Sequence, residues 1–484
     1  MKKSILLLFL MLASYSALAN NISITSVSLT GQNTTDDYTM VNFDISWENS
    51  WRVSTGPSNW DAAWVFVKYR VSGGTWNHAT LNSTGHTAPA GSIIAPASDG
   101  TGAFIYRDID GSGTFSLTGV QLRWNYGTNG VADDATVDIQ VFAIEMVYVP
   151  QGAFYAGDGT VTNIQGQFEA GTSGTAVQVS SEGAITLGGG GAGSLGNNNA
   201  YGMSTADDFN DATTQSLPAA FPKGYNAFYC MKYEISQQGY VDFLNNLTTT
   251  QANNRYPNKN GFYRHGISVS GGVYSTTLPY VACNYLSWMD GAAYSDWAGL
   301  RPMTELEFEK ACRGNQTAVA NEYAWGSISI TQNTGITNSG LTNETSTNSG
   351  NCTYGNHANV PGPMRVGALA TSSSSRSGSG ATYYGIMEMS GNLWERTVTV
   401  GNATGRTFTG AHGNGSLSVN GHADVTAWPG LTSGEVTGAT GSGLRGSQWY
   451  SITMYLRVSD RSFAVYTDTI RNYDWSFRAV RLVP

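Results

Sequence analysis

Charge is sparse in this 484-residue chain: Asp, Glu, Lys and Arg together make up 12% of it, with a net charge of −9. Acid in excess and no concentration of basic residues argue against a nucleic-acid partner. Cysteine is almost lacking. Cys230, Cys283, Cys312 and Cys352 are the four present, which allows zero to two disulfides or buried free thiols, and no cysteine follows Cys352. Beyond Asn20 no apolar run approaches the roughly 20 residues that cross a bilayer, so no membrane insertion is expected. No cysteine stands at the start of the mature chain to carry a lipid.

What is present is glycine, 59 residues of it, with Asn, Ser and Thr carrying solubility, as in a turn-rich extracellular β or mixed fold. Lys2 and Lys3, the apolar run from Ile5 to Leu12, and Ala17-Leu18-Ala19 before Asn20 read as a signal peptide over residues 1–19. The mature chain is therefore expected to be exported, to an extracellular, cell-surface or periplasmic location. Its length suits two or three domains.

Residues 20–145 read as an all-β, immunoglobulin-like sandwich. Val41, Phe43, Ile45 and Trp47 alternate with polar residues, and Val65, Val67, Tyr69 and Val71 alternate with Phe66, Lys68 and Arg70; period two predicts strands with one polar face. Asp108-Ile-Asp110-Gly111-Ser-Gly113 begins like a calcium loop but has Gly119 where a bidentate Glu is required, so a turn is expected. A new unit starts at Met146. The Gly-rich stretch at about 156–215 lacks the Gly-Lys-Ser/Thr of a phosphate loop and reads as a flexible surface insertion, with Asp207, Asp208 and Asp211 near its end as solvated carboxylates or, alternatively, as ligands of a cation. Helices are predicted after Ser236, before Gly299, and from Glu305 behind a Thr304/Glu307 capping box closed by Gly314.

The last forty or so residues alternate stiff blocks with runs of a narrow composition. The runs contain Tyr450, Ser451, Ile452, Thr453 and Tyr455, then Ser462, Phe463, Val465, Tyr466, Asp468 and Ile470, then Tyr473, Asp474 and Ser476. Lys and Glu are missing from all of them. Such residues suit a contact surface, since Tyr offers large amphipathic area at low entropy cost and Ser and Asp add adaptable hydrogen bonds. Strands favour the same aromatic and β-branched types, so an ordinary β-rich C-terminus is the competing account.

Met146-Val-Tyr-Val-Pro150, Phe228-Tyr-Cys-Met-Lys-Tyr-Glu-Ile235, Trp288 through Leu300-Arg-Pro-Met-Thr-Glu305, Gly385-Ile-Met-Glu-Met-Ser-Gly-Asn-Leu-Trp-Glu395, and Arg445-Gly-Ser with a closing Phe477-Arg478 resemble, in this order, the formylglycine-generating enzyme (sulfatase-modifying factor) family. The resemblance covers residues 146–484 and implies an α+β, C-type-lectin-like fold. That family's oxidases hold copper(I) on two C-terminal cysteines. The corresponding positions here are Tyr450 and Tyr455, so no copper is expected, because soft thiolates are what bind Cu(I). The family's Gly-Asn-x-Trp-Glu motif implies calcium on Asn392, Leu393 and Glu395; a turn-fixing Asn392 and an arginine-paired Glu395 fit the same residues.

Leu456-Arg-Val-Ser-Asp-Arg461 and Phe477-Arg-Ala-Val-Arg481 further resemble the constant blocks of proteins varied by diversity-generating retroelements. Adenine-directed change of an AAC codon yields Tyr, Ser, Ile, Thr, Phe, Val and Asp but never Lys, Glu, Gln, Met or Trp. The contact runs obey that menu, provided Gln448, Trp449, Met454 and Trp475 are constant. The expected function is binding of a protein or surface ligand by a chain inactive as an oxidase, with Arg445, Arg457, Arg461 and Arg478 bracing the frame. The rivals are a formylglycine-type or related metal-dependent oxidoreductase and a structural cell-surface component.

Overall fold

The computed structural model describes residues 21–159, 164–197, 202–371 and 374–484; the expected signal peptide lies outside them. The fold is rich in sheet, with few helices. Its centre is an eight-stranded antiparallel sheet. Strands run in the order Arg301–Pro302, Ala479–Leu482, Phe228–Met231, Val137–Val149, Asp61–Val71, Ala103–Arg107 and Ser92–Pro96, with Asn77–His78 paired off this path to Asp61–Val71.

A second sheet joins Ser23–Asn33, Tyr38–Arg52 and Gly111–Trp124. The alternation read from the sequence holds here: Val41, Phe43, Ile45 and Trp47 are buried and their neighbours are not. They pack on Ala63, Val65, Val67 and Tyr69 of the central sheet, as period-two side chains of two facing sheets do.

The polar outer face expected for Asp61–Val71 is not present. Nine successive residues of that strand are buried, because its other face packs on the helix Trp288–Trp297. Phe66 meets Trp297 edge to face at 5.0 Å, and the Trp64 indole donates to the Ala298 carbonyl at 2.8 Å. Lys68 is buried too, and its ammonium donates to the carbonyls of Trp297 at 2.7 Å and Gly415 at 2.6 Å. The boundary expected at 145/146 falls inside the strand Val137–Val149, which pairs with Asp61–Val71 over residues 137–147 along one edge and with Phe228–Met231 over residues 146–149 along the other. Lys232 spans the same seam, bonded to Asp61 at 3.3 Å and Glu145 at 3.0 Å.

The Gly-rich insertion is folded over its described residues, contrary to the expectation of a flexible excursion. Phe168–Ala170, Leu195–Asn197, Ile185–Leu187 and Gln215–Leu217 form a four-stranded sheet, and Phe168, Leu187, Leu195, Phe209 and Leu217 join the main core. Apolar residues spaced through the glycines account for this, while Gly188, Gly189 and Gly190 take left-handed φ of 69–72° that other residues would resist.

The predicted helices form as Gln237–Asn245, Trp288–Trp297 and Glu305–Arg313, each with a side-chain N-cap, and Gly314 caps the last. Gly291 lets the second helix close onto the strand Trp475–Phe477, since a Cβ there would lie 1.8 Å from the Phe477 ring. A fragment ending at residue 145 would lose the pairing beyond it and expose Trp64 and Phe66. Thermal denaturation followed by circular dichroism should show no cooperative transition for residues 21–145 and a cooperative one for 21–484; a sharp transition in the fragment would contradict the shared core.

Candidate ligand-binding face

The terminal segment is clamped from beneath by ion pairs. The helix Glu305–Arg313 sets Glu305 and Glu309 one turn apart on one face. Arg445 reaches both, at 3.1 and 2.8 Å, and Arg461 bonds Glu305 at 2.7 Å and Asp207 at 2.7 Å. All five side chains are fully buried. Burial opposes ionisation of Glu305, but Arg461 and Arg445 outweigh it and hold its carboxyl below the ordinary range. For Asp207 burial outweighs Arg461, and the carboxyl is raised; the expectation of a solvated Asp207 is corrected accordingly. Arg478 pairs with Glu395 at 2.6 Å and donates to the carbonyls of Met231 and Met387 at 2.8 and 2.7 Å. Arg457, the fourth expected brace, is only half-buried.

Above this frame lies a three-stranded sheet of Ser442–Arg445, Trp394–Val398 and Trp475–Phe477. Trp394 and Trp475 stand side by side in parallel register and with Leu444 make a buried base on which Tyr455, Phe463 and Tyr466 rest. Phe463 contacts Trp394, Tyr455 and Tyr466 at ring distances of 5.3, 6.0 and 5.5 Å. Arg396 lies 4.3 Å over the Trp475 ring and donates to the carbonyls of Tyr466 and Asp468. A second aromatic group gathers Trp449, Tyr450 and Tyr473 with Tyr263, the last 4.6 Å from Tyr473 and 5.6 Å from Trp449.

The predicted contact residues fall into three sets. Tyr450, Ile452 and Ile470 are exposed, at 42%, 57% and 52%. Ser451, Thr453, Tyr455, Phe463, Tyr466, Asp468 and Tyr473 are half-buried. Ser462, Val465, Asp474 and Ser476 are buried, and for these the expectation of an outward contact is corrected. Ser462 is turned inward by bonds to Gln165 and to Asp460 at 2.8 Å, Val465 packs inside, and Ser476 pairs with Glu395 in the sheet. Sequence reasoning missed Tyr263, Trp394 and Arg396. An exposed aromatic pair, Phe262 and Tyr263, in a loop beside Gly261 was the available signal for the first.

The family model described as the sulfatase-modifying factor enzyme 1-like domain matches residues 132–482. The chain belongs to the sulfatase-modifying factor enzyme 1-like family. The match starts ahead of the expected Met146, before the strand Val137–Val149 begins. No curated protein matches the chain.

Copper(I) does not fit, because Tyr450 and Tyr455 offer phenols where thiolates are required, and the four cysteines are free and buried elsewhere. Burial pushes the thiols of Cys230, Cys283, Cys312 and Cys352 up, away from the thiolate. The residues of the expected calcium set are engaged within the protein. Asn392, at φ 63°, gives its amide to Glu234 and accepts from the Met364 amide at 2.8 Å; the Leu393 amide also goes to Glu234, at 3.0 Å, while Glu395 is held by Arg478. Turn-fixing and arginine pairing describe these residues. Among the described residues no group of three or more His, Cys, Asp or Glu is arranged to hold a metal.

Asp474 is the unusual acid of the face. Burial raises its carboxyl to about 7, with its own backbone amide and Arg396 opposing only in part. The folded state thus holds this proton more tightly than the unfolded chain, so stability from Asp474 is present below about pH 4 and is lost as pH rises to about 7. Asp474→Asn should therefore raise the melting temperature at pH 8 and leave it nearly unchanged at pH 4. Calorimetry of both proteins at the two pH values checks this; a variant less stable than the parent at pH 8 would contradict it.

Proposed function

We propose that this chain is an exported ligand-binding protein. On this reading the family scaffold, with its C-type-lectin-like architecture, displays a terminal aromatic face to a protein or surface ligand and does not act as an oxidase. The observation that carries the reading is the pairing of two features at one place: phenols stand where the oxidase needs sulfur, and the side chains around them form an aromatic surface on a buried ionic frame. The narrow residue menu supports diversification by a retroelement. The signal-peptide pattern supports export, to an extracellular, cell-surface or periplasmic site. The net charge of −9 supports a partner that is not nucleic acid, and no described helix is long and apolar enough to cross a membrane.

The energetics suit such a role. A standard interface buries roughly 800 Å² per partner, and aromatic side chains bury about 150–250 Å² each, so Tyr450, Tyr263 and their half-buried neighbours suffice to anchor one. Because the frame is already ordered, little entropy is lost at the backbone on binding.

Two measurements test the reading. Oxygen uptake with Cu(I) and a cysteine-containing peptide should stay at the level of the protein-free control. Peptides selected on the full chain from a displayed random library should lose at least tenfold in affinity for the Tyr263→Ala/Tyr450→Ala variant, whose melting temperature should shift little because both side chains are exposed. Copper-dependent uptake, or selected peptides indifferent to both substitutions, would refute it.

A further inference from the structure

A lysine and two acids meet on the face of the central sheet that packs against the second sheet. Register brings them there: Asp61 pairs with Val147 and Ala63 with Glu145, so the two carboxyls are diagonal neighbours on one face. Lys232 follows directly on the strand Phe228–Met231, and its amide donates to the Glu145 carbonyl at 2.9 Å. Its ammonium reaches Glu145 at 3.0 Å, Asp61 at 3.3 Å and the Asn49 carbonyl at 3.4 Å. All three side chains are enclosed. Asp61, Lys232 and Glu145 are 0%, 3% and 4% exposed, and the Trp51 ring lies 4.9 Å from the ammonium.

The Asp61 carboxyl is polarised by fixed donors. Its Oδ1 accepts from the Ser50 hydroxyl at 2.8 Å and the Trp51 amide at 3.0 Å, and its Oδ2 from the Trp47 indole at 3.1 Å. Donors held on a carbonyl oxygen stabilise the negative charge that develops there when a nucleophile adds to the carbon. The nucleophile stands beside it, since Nζ of Lys232 lies against Oδ2, and holding two reactants in place removes the entropy cost of their encounter. One lysine cannot neutralise two buried carboxylates, so one acid takes up a proton. Burial raises the Asp61 carboxyl against the opposing charge of Lys232. Burial also opposes the charge on Lys232, but Glu145, Tyr233 and Asp61 outweigh it and keep the ammonium.

We propose that Lys232 and Asp61 condense to an intramolecular isopeptide bond, with Glu145 as the proton acceptor. Glu145 takes one proton from the ammonium, and the freed Nζ lone pair adds to Cγ of the protonated Asp61 carboxyl. The Cγ–Oδ2 bond then breaks, and Oδ2 leaves as water with its own proton and one from the nitrogen. An Nζ–Cγ amide with one N–H and a neutral Glu145 remain; the balance needs no oxidant and no further reactant. Exclusion of bulk water favours the amide over its hydrolysis. Asp61 lies ahead of the residues matched to the family, 132–482, and Lys232 within them, so the bond fastens the N-terminal strands to the family scaffold. The four cysteines are free and leave that role open.

Mass spectrometry of the denatured full chain tests this. Once the N-terminus has been read by sequencing, the intact mass should fall short of the sequence mass by one water, and a protease digest should contain a branched peptide joining the segments around Asp61 and Lys232. Lys232→Arg and Glu145→Gln should each restore the sequence mass. A parent chain at its full sequence mass, or a water lost elsewhere, as in a succinimide, overturns the proposal. Formation of the bond in Glu145→Gln overturns the part given to Glu145. The parent's own digest decides whether the bond exists even where a variant does not fold.

Discussion

The buried chain Asp207–Arg461–Glu305–Arg445–Glu309 is the constraint on which the terminal segment depends. Its charges come from four separate places in the sequence and meet out of water. Removing one partner would leave an uncompensated buried charge, which is far costlier than the pair is stabilising. The network thus selects one arrangement of loops more than it adds net stability. Arg461 also donates to the Gly166 carbonyl, so the folded Gly-rich insertion is fixed to the same point.

With the backbone held from below, the upper side can vary in chemistry without carrying the fold. Burial grades outward across it. Trp394 and Trp475 are enclosed, Phe463 and Tyr466 lean on them, and Tyr450 and Ile452 face solvent. Large rings presented with little freedom are well suited to binding, because the entropy of ordering them is lost in folding and not again in association. Ser462, Val465 and Ser476 share the composition of the contact runs yet are buried: Ser462 and Val465 lie in loop backbone turned toward the base, and Ser476 lies in the buried strand Trp475–Phe477.

Much of this was legible in the sequence where the signal is local. The capping box at Thr304 and Glu307, the terminator Gly314 and the alternation from Val41 to Trp47 each depend on near neighbours, and each forms as read. Arg445, Arg461 and Arg478 were recognisable as braces and Glu395 as a possible partner of an arginine, whereas Asp207, Glu305 and Glu309 were not recognisable as partners. What stayed hidden depends on contacts between distant segments. Lys68 reads as a solvent-facing residue until the helix ending at Trp297 covers it, and the glycines near 190 read as flexible until Phe168, Leu187 and Phe209 are seen to share a core. Tyr263 lies far from the terminal runs in sequence and meets Trp449 and Tyr473 only in the folded chain. Asp474 looks like any polar contact residue, and its burial is visible only in three dimensions.

Native-state hydrogen exchange of the terminal segment tests the central claim most directly, since it measures whether the frame holds without a ligand. The amides of Leu444, Val458, Arg461 and Ala464 are bonded to Phe463, Glu322, Gln165 and Arg461 carbonyls at 2.9 to 3.0 Å. A rigid frame predicts that these amides in the free protein exchange only through global unfolding, with the free energy of the most protected core strands. Exchange by local opening at much lower free energy would contradict the account.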